Sequence, residues 1–166
     1  MVVRPRSPDQ GPDTPAASIG QTGGVRTIVL GTDGSLGARA ATAWVATNAP
    51  LLGAEVAVVH SIDLTLALPP PTLPAAPFVI DDTVRAAVRE QLHDWCAPLR
   101  DAGLVVHEEL YEGNPVEAIT TVARARGADL VVVGRRGHGG FAELVLGSVA
   151  HALTHHADVA VVVVPA

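Results

Sequence analysis

Aromatic side chains are scarce: two Trp, two Phe and one Tyr stand among 166 residues. Since 48% of the residues are hydrophobic, a core must be built from Val, Ala and Leu. That composition suits buried parallel strands covered by Ala-rich helices. Cysteine is nearly absent too. Cys96 stands alone, which excludes an intrachain disulfide and a Cys-based metal site. No apolar run reaches the roughly 18 residues that span a bilayer. The opening MVVRPRSPDQGPDTP carries no apolar h-region, so no secretory signal is read. Together these absences point to a cytoplasmic protein. Long basic runs are missing as well, and the formal net charge is −6. Neither nucleic acid nor an anionic membrane is therefore an expected partner. A bound polyphosphate would need local donors, because the global field does not attract it.

What is present divides into a tail and a domain. Residues 1–23 are rich in Pro, Gly, Ser, Thr and Asp and show neither helix nor strand period, so they read as a disordered tail. Residues 24–166 read as one domain. Val25-Arg26-Thr27-Ile28-Val29-Leu30 is a β-branched run closed by Gly31-Thr32-Asp33-Gly34-Ser35, a buried strand ending in a loop. Ser35 is placed to cap an Ala-rich helix from Leu36 to about Asn48. Glu55 to His60 forms a second strand. Five prolines between Asp63 and Phe78 predict a long surface loop. Asp81 or Asp82 opens a helix whose Val84, Ala87, Val88, Gln91, Leu92, Trp95 and Leu99 share a face. Pro98 is expected to kink it. A third strand follows from Leu104 to Leu110, and then a helix from Pro115 to Arg126, stopped by Gly127. Asp129 to Val133 is the fourth strand. A glycine-rich loop leads to a helix from about Ser148 to His155, and Val159 to Val164 is the fifth strand.

This alternation predicts a single open five-stranded parallel α/β sheet with helices on both faces, of order 3-2-1-4-5 or its flavodoxin-like relative. In such sheets a ligand sits beyond the carboxyl ends of the strands, at the switch point. With order 3-2-1-4-5 that point lies between strands one and four, where the two most glycine-rich loops of the domain meet. The second of these reads Gly134-Arg135-Arg136-Gly137-His138-Gly139-Gly140-Phe141-Ala142-Glu143-Leu144-Val145-Leu146-Gly147-Ser148. Glycines let backbone N–H groups approach a phosphate. Gly147 and Ser148 then open a helix whose first N–H groups favour an anion. Ser148 can cap that helix or offer its hydroxyl to phosphate. Arg135 and Arg136 either add charge or point to solvent. His138 either contacts phosphate or faces solvent. Neither a Walker A loop nor a G-x-G-x-x-G fingerprint is present.

On these residues the chain resembles the universal stress protein family. Its ATP-binding branch carries G-x2-G-x9-G-[S/T], which Gly134, Gly137, Gly147 and Ser148 fit without departure. The likeness continues in Gly31-Thr32-Asp33, Val59-His60, Gly113-Asn114-Pro115 and the closing run from Val161 to Pro165. It covers about residues 24–166. The resemblance implies ATP as ligand, with Mg as its companion ion and AMP or cyclic AMP as alternatives. It implies that Asp33 sits near adenine and ribose, with Gly31 and Thr32 lining the base pocket by backbone and Ser61 against the adenine. Gly134, Arg135, Arg136, Gly137, His138, Gly139 and Gly140 would wrap the ribose and phosphates, with Ser148 and Val149 on the phosphate side. Asp33 also has a purely local reading, as a carboxylate capping the helix of its own loop.

Other candidates are weaker. His151 and His155 are one helical turn apart, yet no Glu accompanies them, so no metal is expected. Cys96 reads as packing. The leading function is a nucleotide-dependent regulatory or stress-response module. The competing reading is a slow ATP hydrolase or autokinase. Such an enzyme needs a metal-anchoring carboxylate and a residue placing the nucleophile; Asp33 falls at the base end and Glu143 has no evident partner, so no catalytic residue is named. The strand from Val159 to Val164 is an apolar edge with no flanking Lys, a hazard unless covered. A second copy paired about a two-fold axis would cover it, and the resemblance likewise implies a homodimer through this strand.

Overall fold

The Val-rich runs assemble as one parallel sheet in a computed structural model that describes residues 24–63, 80–138 and 146–166. The strands are β1 (Thr27–Gly31), β2 (Glu55–Ile62), β3 (Val106–Glu112), β4 (Leu130–Gly134) and β5 (Ala160–Val164). Their order is β3-β2-β1-β4-β5, and every neighbouring pair is parallel. The helices are α1 (Leu36–Leu52), α2 (Asp82–Trp95), α3 (Ala97–Asp101), α4 (Pro115–Arg126) and α5 (Ser148–His156). The tail 1–23, the proline-rich stretch and residues 139–145 lie outside the described residues, Gly139 and Gly140 among them.

Strand alternation sorts the core into two layers. Ile28, Leu30, Val56, Val58, Leu130 and Val132 pack against α1, α2 and α3 on one face. Val29, Ala57, Val59, Val131 and Val133 pack against α4 and α5 on the other. Burial of both faces explains why the strands read as unbroken apolar runs.

Ser35 caps α1 as expected, its Oγ accepting from the N–H of Ala38 at 3.2 Å. The helix runs to Leu52, four residues beyond the predicted Asn48. Pro50 is tolerated in the last turns, and Gly53 ends the helix in the left-handed region at φ 66°. Proline breaks the next helix rather than bending it. α2 stops at Trp95, Cys96 joins the two pieces, and Pro98 lies in the first turn of α3. Its ring would collide with the carbonyl four residues back in a continuous helix. The expected apolar face of α2 is narrower than its spacing suggested: Leu92 and Leu99 are buried, but Ala87 and Gln91 are exposed. Only the end of α2 meets the core. β3 starts two residues later than predicted, because pairing with β2 runs from Val56↔Val106 to Ile62↔Glu112. Pairing, not composition, sets the limits of this polar edge strand.

Candidate functional site

Strand order places the β1–α1 turn beside the loop after β4, at the carboxyl edge where the chain turns in opposite directions. The first turn is held by its own main chain. Thr32 donates its N–H to the Val59 carbonyl at 2.9 Å. Its carbonyl meets Nδ1 of His60 at 2.8 Å, so that ring nitrogen carries the proton. Both backbone groups of Thr32 are thus partnered within the protein. Gly31 lies against α4: a Cβ there would stand 2.6 Å from Ile119 Cδ1, the end of a side chain, and 3.0 Å from Val133 Cγ1. Gly34, at φ 75°, lies against the Trp95 indole, leaving no room for a side chain. Trp95 meets the His60 ring edge-on at 5.2 Å between centroids. α2 therefore supports the turn from beneath.

Asp33 links the two loops. Its Oδ1 accepts from the Ser35 N–H at 3.0 Å. Its Oδ2 accepts from the His138 N–H at 3.0 Å and lies 3.4 Å from His138 Nδ1. The carboxyl loses solvation by burial, which opposes its charge, yet the hydrogen bonds from Ser35 and His138 outweigh this and hold it below its ordinary range. Asp33 thus bonds within its own loop and reaches the glycine loop, while the capping of α1 falls to Ser35.

The glycine loop rests on the start of α1. Ser35 Oγ lies 3.5 Å from the Arg136 carbonyl, and a Cβ on Gly37 would run into that same carbonyl. A Cβ on Gly134 would fall on the Gly37 backbone, 2.8 Å from the Ala38 nitrogen. At Gly137 the space of a Cβ is taken by Asp33 Oδ2. Arg135 donates its N–H to the Val164 carbonyl at 2.7 Å, and its own carbonyl accepts from the Gly147 N–H at 2.9 Å. The two limbs of the loop are thereby pinned together. Arg135 and Arg136 are half-buried. Arg135 Nε is buried without a hydrogen-bond partner among the described residues.

Ser148 is not a cap: Gly147 holds the N-cap position of α5, and no side-chain hydrogen bond closes the helix. The first intrahelical bond joins His151 N–H to the Gly147 carbonyl. The N–H groups of Ser148, Val149 and Ala150 precede it, which leaves the positive end of the helix beside the loop. Ser61 Oγ donates to the Gly113 carbonyl at 2.6 Å. It ties the end of β2 to the turn before α4.

Sequence reasoning missed Gly37, His60 and Trp95 as parts of the site. Gly37 had a signal, a glycine in the first turn of an otherwise Ala-rich helix. His60 had one as the first polar residue ending an apolar run. Trp95 had none, since its partners lie 35 and 61 positions away. His151 and His155 stack edge-on at 4.8 Å, and no group of three potential metal ligands occurs among the described residues. No helix among them is long and apolar enough to cross a membrane. A cavity of about 260 Å³ between α1 and the α2–α3 corner is lined by Thr32, Gly34, Arg39, Thr42, Trp95 and Pro98, among others. It borders the first turn but includes no residue of 134–138.

The model of the universal stress protein family matches residues 24–165. A universal stress protein of Methanocaldococcus jannaschii is 31% identical over 139 residues, spanning 82% of this chain and 80% of that one. A mycobacterial relative from Mycobacterium tuberculosis, also 31% identical, is longer, and the alignment covers 47% of its length. Among solved structures, a universal stress protein in complex with cAMP shares the fold with TM-score 0.65 and 24% identity, covering 86% of this chain and 98% of that one. The universal stress protein of Archaeoglobus fulgidus in complex with dAMP does so with TM-score 0.60 and 23% identity, covering 84% and 97%.

Proposed function

Because this chain belongs to the universal stress protein family, we propose that it binds an adenine nucleotide, ATP by preference, as a regulatory or stress-response module. One observation carries the reading. Asp33 and the glycine loop stand in hydrogen-bond contact at the switch point of the sheet, with the loop fitting G-x2-G-x9-G-S. Asp33 supplies the carboxylate for nucleoside hydroxyls. Arg135, Arg136 and the uncapped start of α5 supply positive potential for phosphates. The Nε of Arg135, buried without a hydrogen-bond partner among the described residues, suits an anion in particular. The cAMP and dAMP held by two proteins of this fold keep AMP and cyclic AMP in the comparison. Asp33 already accepts two backbone N–H groups, which favours a binding role over hydrolysis. Mg, if it accompanies ATP, would be held by the phosphates.

The test is mass spectrometry of nucleotide carried through native purification. Equilibrium binding of ATP, ADP, AMP and cyclic AMP and a phosphate-release assay accompany it. ATP binding at micromolar levels without turnover supports the reading. Absence of binding by all four at millimolar concentration ends it, and steady phosphate release moves the protein to the enzymes.

The second part of the proposal is a homodimer through β5. This strand pairs only with β4 among the described residues. The bond from Arg135 to the Val164 carbonyl shows that Val164 faces β4. In a parallel ladder alternate residues turn both backbone groups the same way, so Val162 faces β4 as well. Val161 and Val163 present their N–H and C=O groups at the open edge. Val163→Pro should therefore split the dimer with the domain folded, whereas Val162→Pro attacks the domain's own ladder. A wild-type protein sedimenting as a monomer at micromolar concentration refutes this part.

A further inference from the structure

The contact between Asp33 and the glycine loop has an effect on ligand entry. Phosphate loops work through main-chain N–H groups aimed at the anion. In this chain the N–H of His138 already donates to a carboxylate, Asp33 Oδ2, at 3.0 Å. The same oxygen fills the space where a side chain on Gly137 would sit. His138 Nδ1 lies 3.4 Å from it, so amide and imidazole of one loop residue converge on one oxygen. Asp33 is anchored on its other oxygen by Ser35, which keeps the carboxylate aimed across the crevice. An internal anion thus stands against the glycine loop.

We propose that Asp33 is a built-in competitor for the glycine loop: its carboxylate holds the His138 amide, and a polyphosphate enters as that bond is released. The proposal rests on the nucleotide reading above. It gives binding the form of an exchange. The nucleoside's hydroxyls satisfy Asp33 while the phosphates take over the loop amide. A ligand that brings both parts compensates both sides of the exchange; a ligand with phosphates alone leaves the carboxylate without its partner. Adenosine and a free polyphosphate should then respond to Asp33 in opposite directions.

The experiment uses the full chain, Asp33→Ala and Gly137→Ala. Gly137 has no left-handed φ, so alanine there is compatible with the backbone and displaces Asp33 Oδ2 from the loop side. First, amide hydrogen exchange at His138 is read without ligand. Both variants should exchange faster there than wild type, with the exchange of β1 and β4 unchanged; equal rates in Asp33→Ala and wild type overturn the contact. Second, binding of inorganic tripolyphosphate and of adenosine is measured at low salt and at about 0.5 M salt. Asp33→Ala should lose adenosine affinity and gain tripolyphosphate affinity by roughly two- to tenfold, the worth of one hydrogen bond. That gain should persist at high salt, where a mere change of charge is screened. A gain that vanishes at high salt, or no gain at either, overturns the competition. Failure of wild type and variants alike to bind any phosphate ligand, with the exchange difference intact, refutes the nucleotide reading and the competition with it; the contact itself would stand.

Discussion

Replacing Gly134 by alanine separates a glycine kept for packing from one kept for a ligand. The added methyl carbon would fall on the carbonyl group of Gly37 and 2.8 Å from the Ala38 nitrogen. No flexible side chain stands there to give way. Either the end of β4, a strand flanked on both sides, or the capped first turn of α1 must move. Overpacking of this kind costs about 1–3 kcal/mol. The unfolded chain loses freedom when glycine becomes alanine, which offsets about 0.4–1 kcal/mol. A net loss of about 1–2 kcal/mol follows, or a fall of roughly 3–10 °C in Tm for a domain of this size. Urea unfolding without nucleotide is the assay, with Gly147→Ala beside it. A Cβ at Gly147 would meet the Arg135 carbonyl at 3.3 Å, a contact that a shift of a few tenths of an ångström relieves. Gly147→Ala should cost less than about 1 kcal/mol. An unchanged urea midpoint for Gly134→Ala would refute the close crossing of β4 and α1, and with it the packing role of this motif glycine.

Other perturbations test other parts. Asp33→Ala should weaken adenosine by about 1–3 kcal/mol, the worth of hydrogen bonds to a charged group, and ATP by less, since the freed loop amide compensates; calorimetric titration showing a loss for ATP alone would place Asp33 at the phosphates. Cys96 is fully buried, and burial, helped by nearby Glu108, pushes its thiol up to about 12. A disulfide reagent at pH 8 should therefore label it only as fast as the domain opens, and rapid labelling of the native protein contradicts its packing. Asp129 Oδ2 accepts from the N–H of Arg26 at 2.8 Å and of Thr27 at 3.1 Å. These bonds, Arg26 first, hold its carboxyl below the ordinary value. A depressed folded pKa gives stability that is complete above the unfolded pKa and lost as pH falls through the folded one. Asp129→Asn should thus lower the urea midpoint at neutral pH and flatten its decline below about pH 4; an equally steep decline removes Asp129 as a cause.

Much of the fold was legible because glycine and proline punctuate this chain. Pro115 and Gly127 bound α4 at the positions read from the sequence, and Asn114 caps it through the Val116 N–H at 2.8 Å. Alternation of strand and helix narrowed the sheet to two orders, of which β3-β2-β1-β4-β5 is the one found. The limits of β3 were not legible, because an edge strand with Glu108, Glu109 and Glu112 has no apolar run to mark its end. Within the site, motif spacing located the loop but not what each glycine faces. Gly134 meets Gly37, and Gly137 meets Asp33, across about a hundred residues of chain. Such pairs exist only once the sheet brings two turns together. The exchange of roles at Ser148 and Gly147 is the same lesson in miniature, since either residue type serves as an N-cap and the geometry of the preceding loop decides.

The main chain at Arg135 is a junction. Its N–H is tied to the last residue of β5, and its carbonyl is tied to the residue before α5. Three segments that the chain visits at different times converge there on one residue, through two adjacent peptide planes that meet at its Cα. The Gly147 end of the loop is joined to the carbonyl side of Arg135, and the amide side of the same residue is joined to the edge strand. The route is short: one covalent step from Gly134 and one hydrogen bond to Val164. Both ends of the glycine loop and the edge strand therefore meet at one residue, through backbone groups that no side-chain substitution removes.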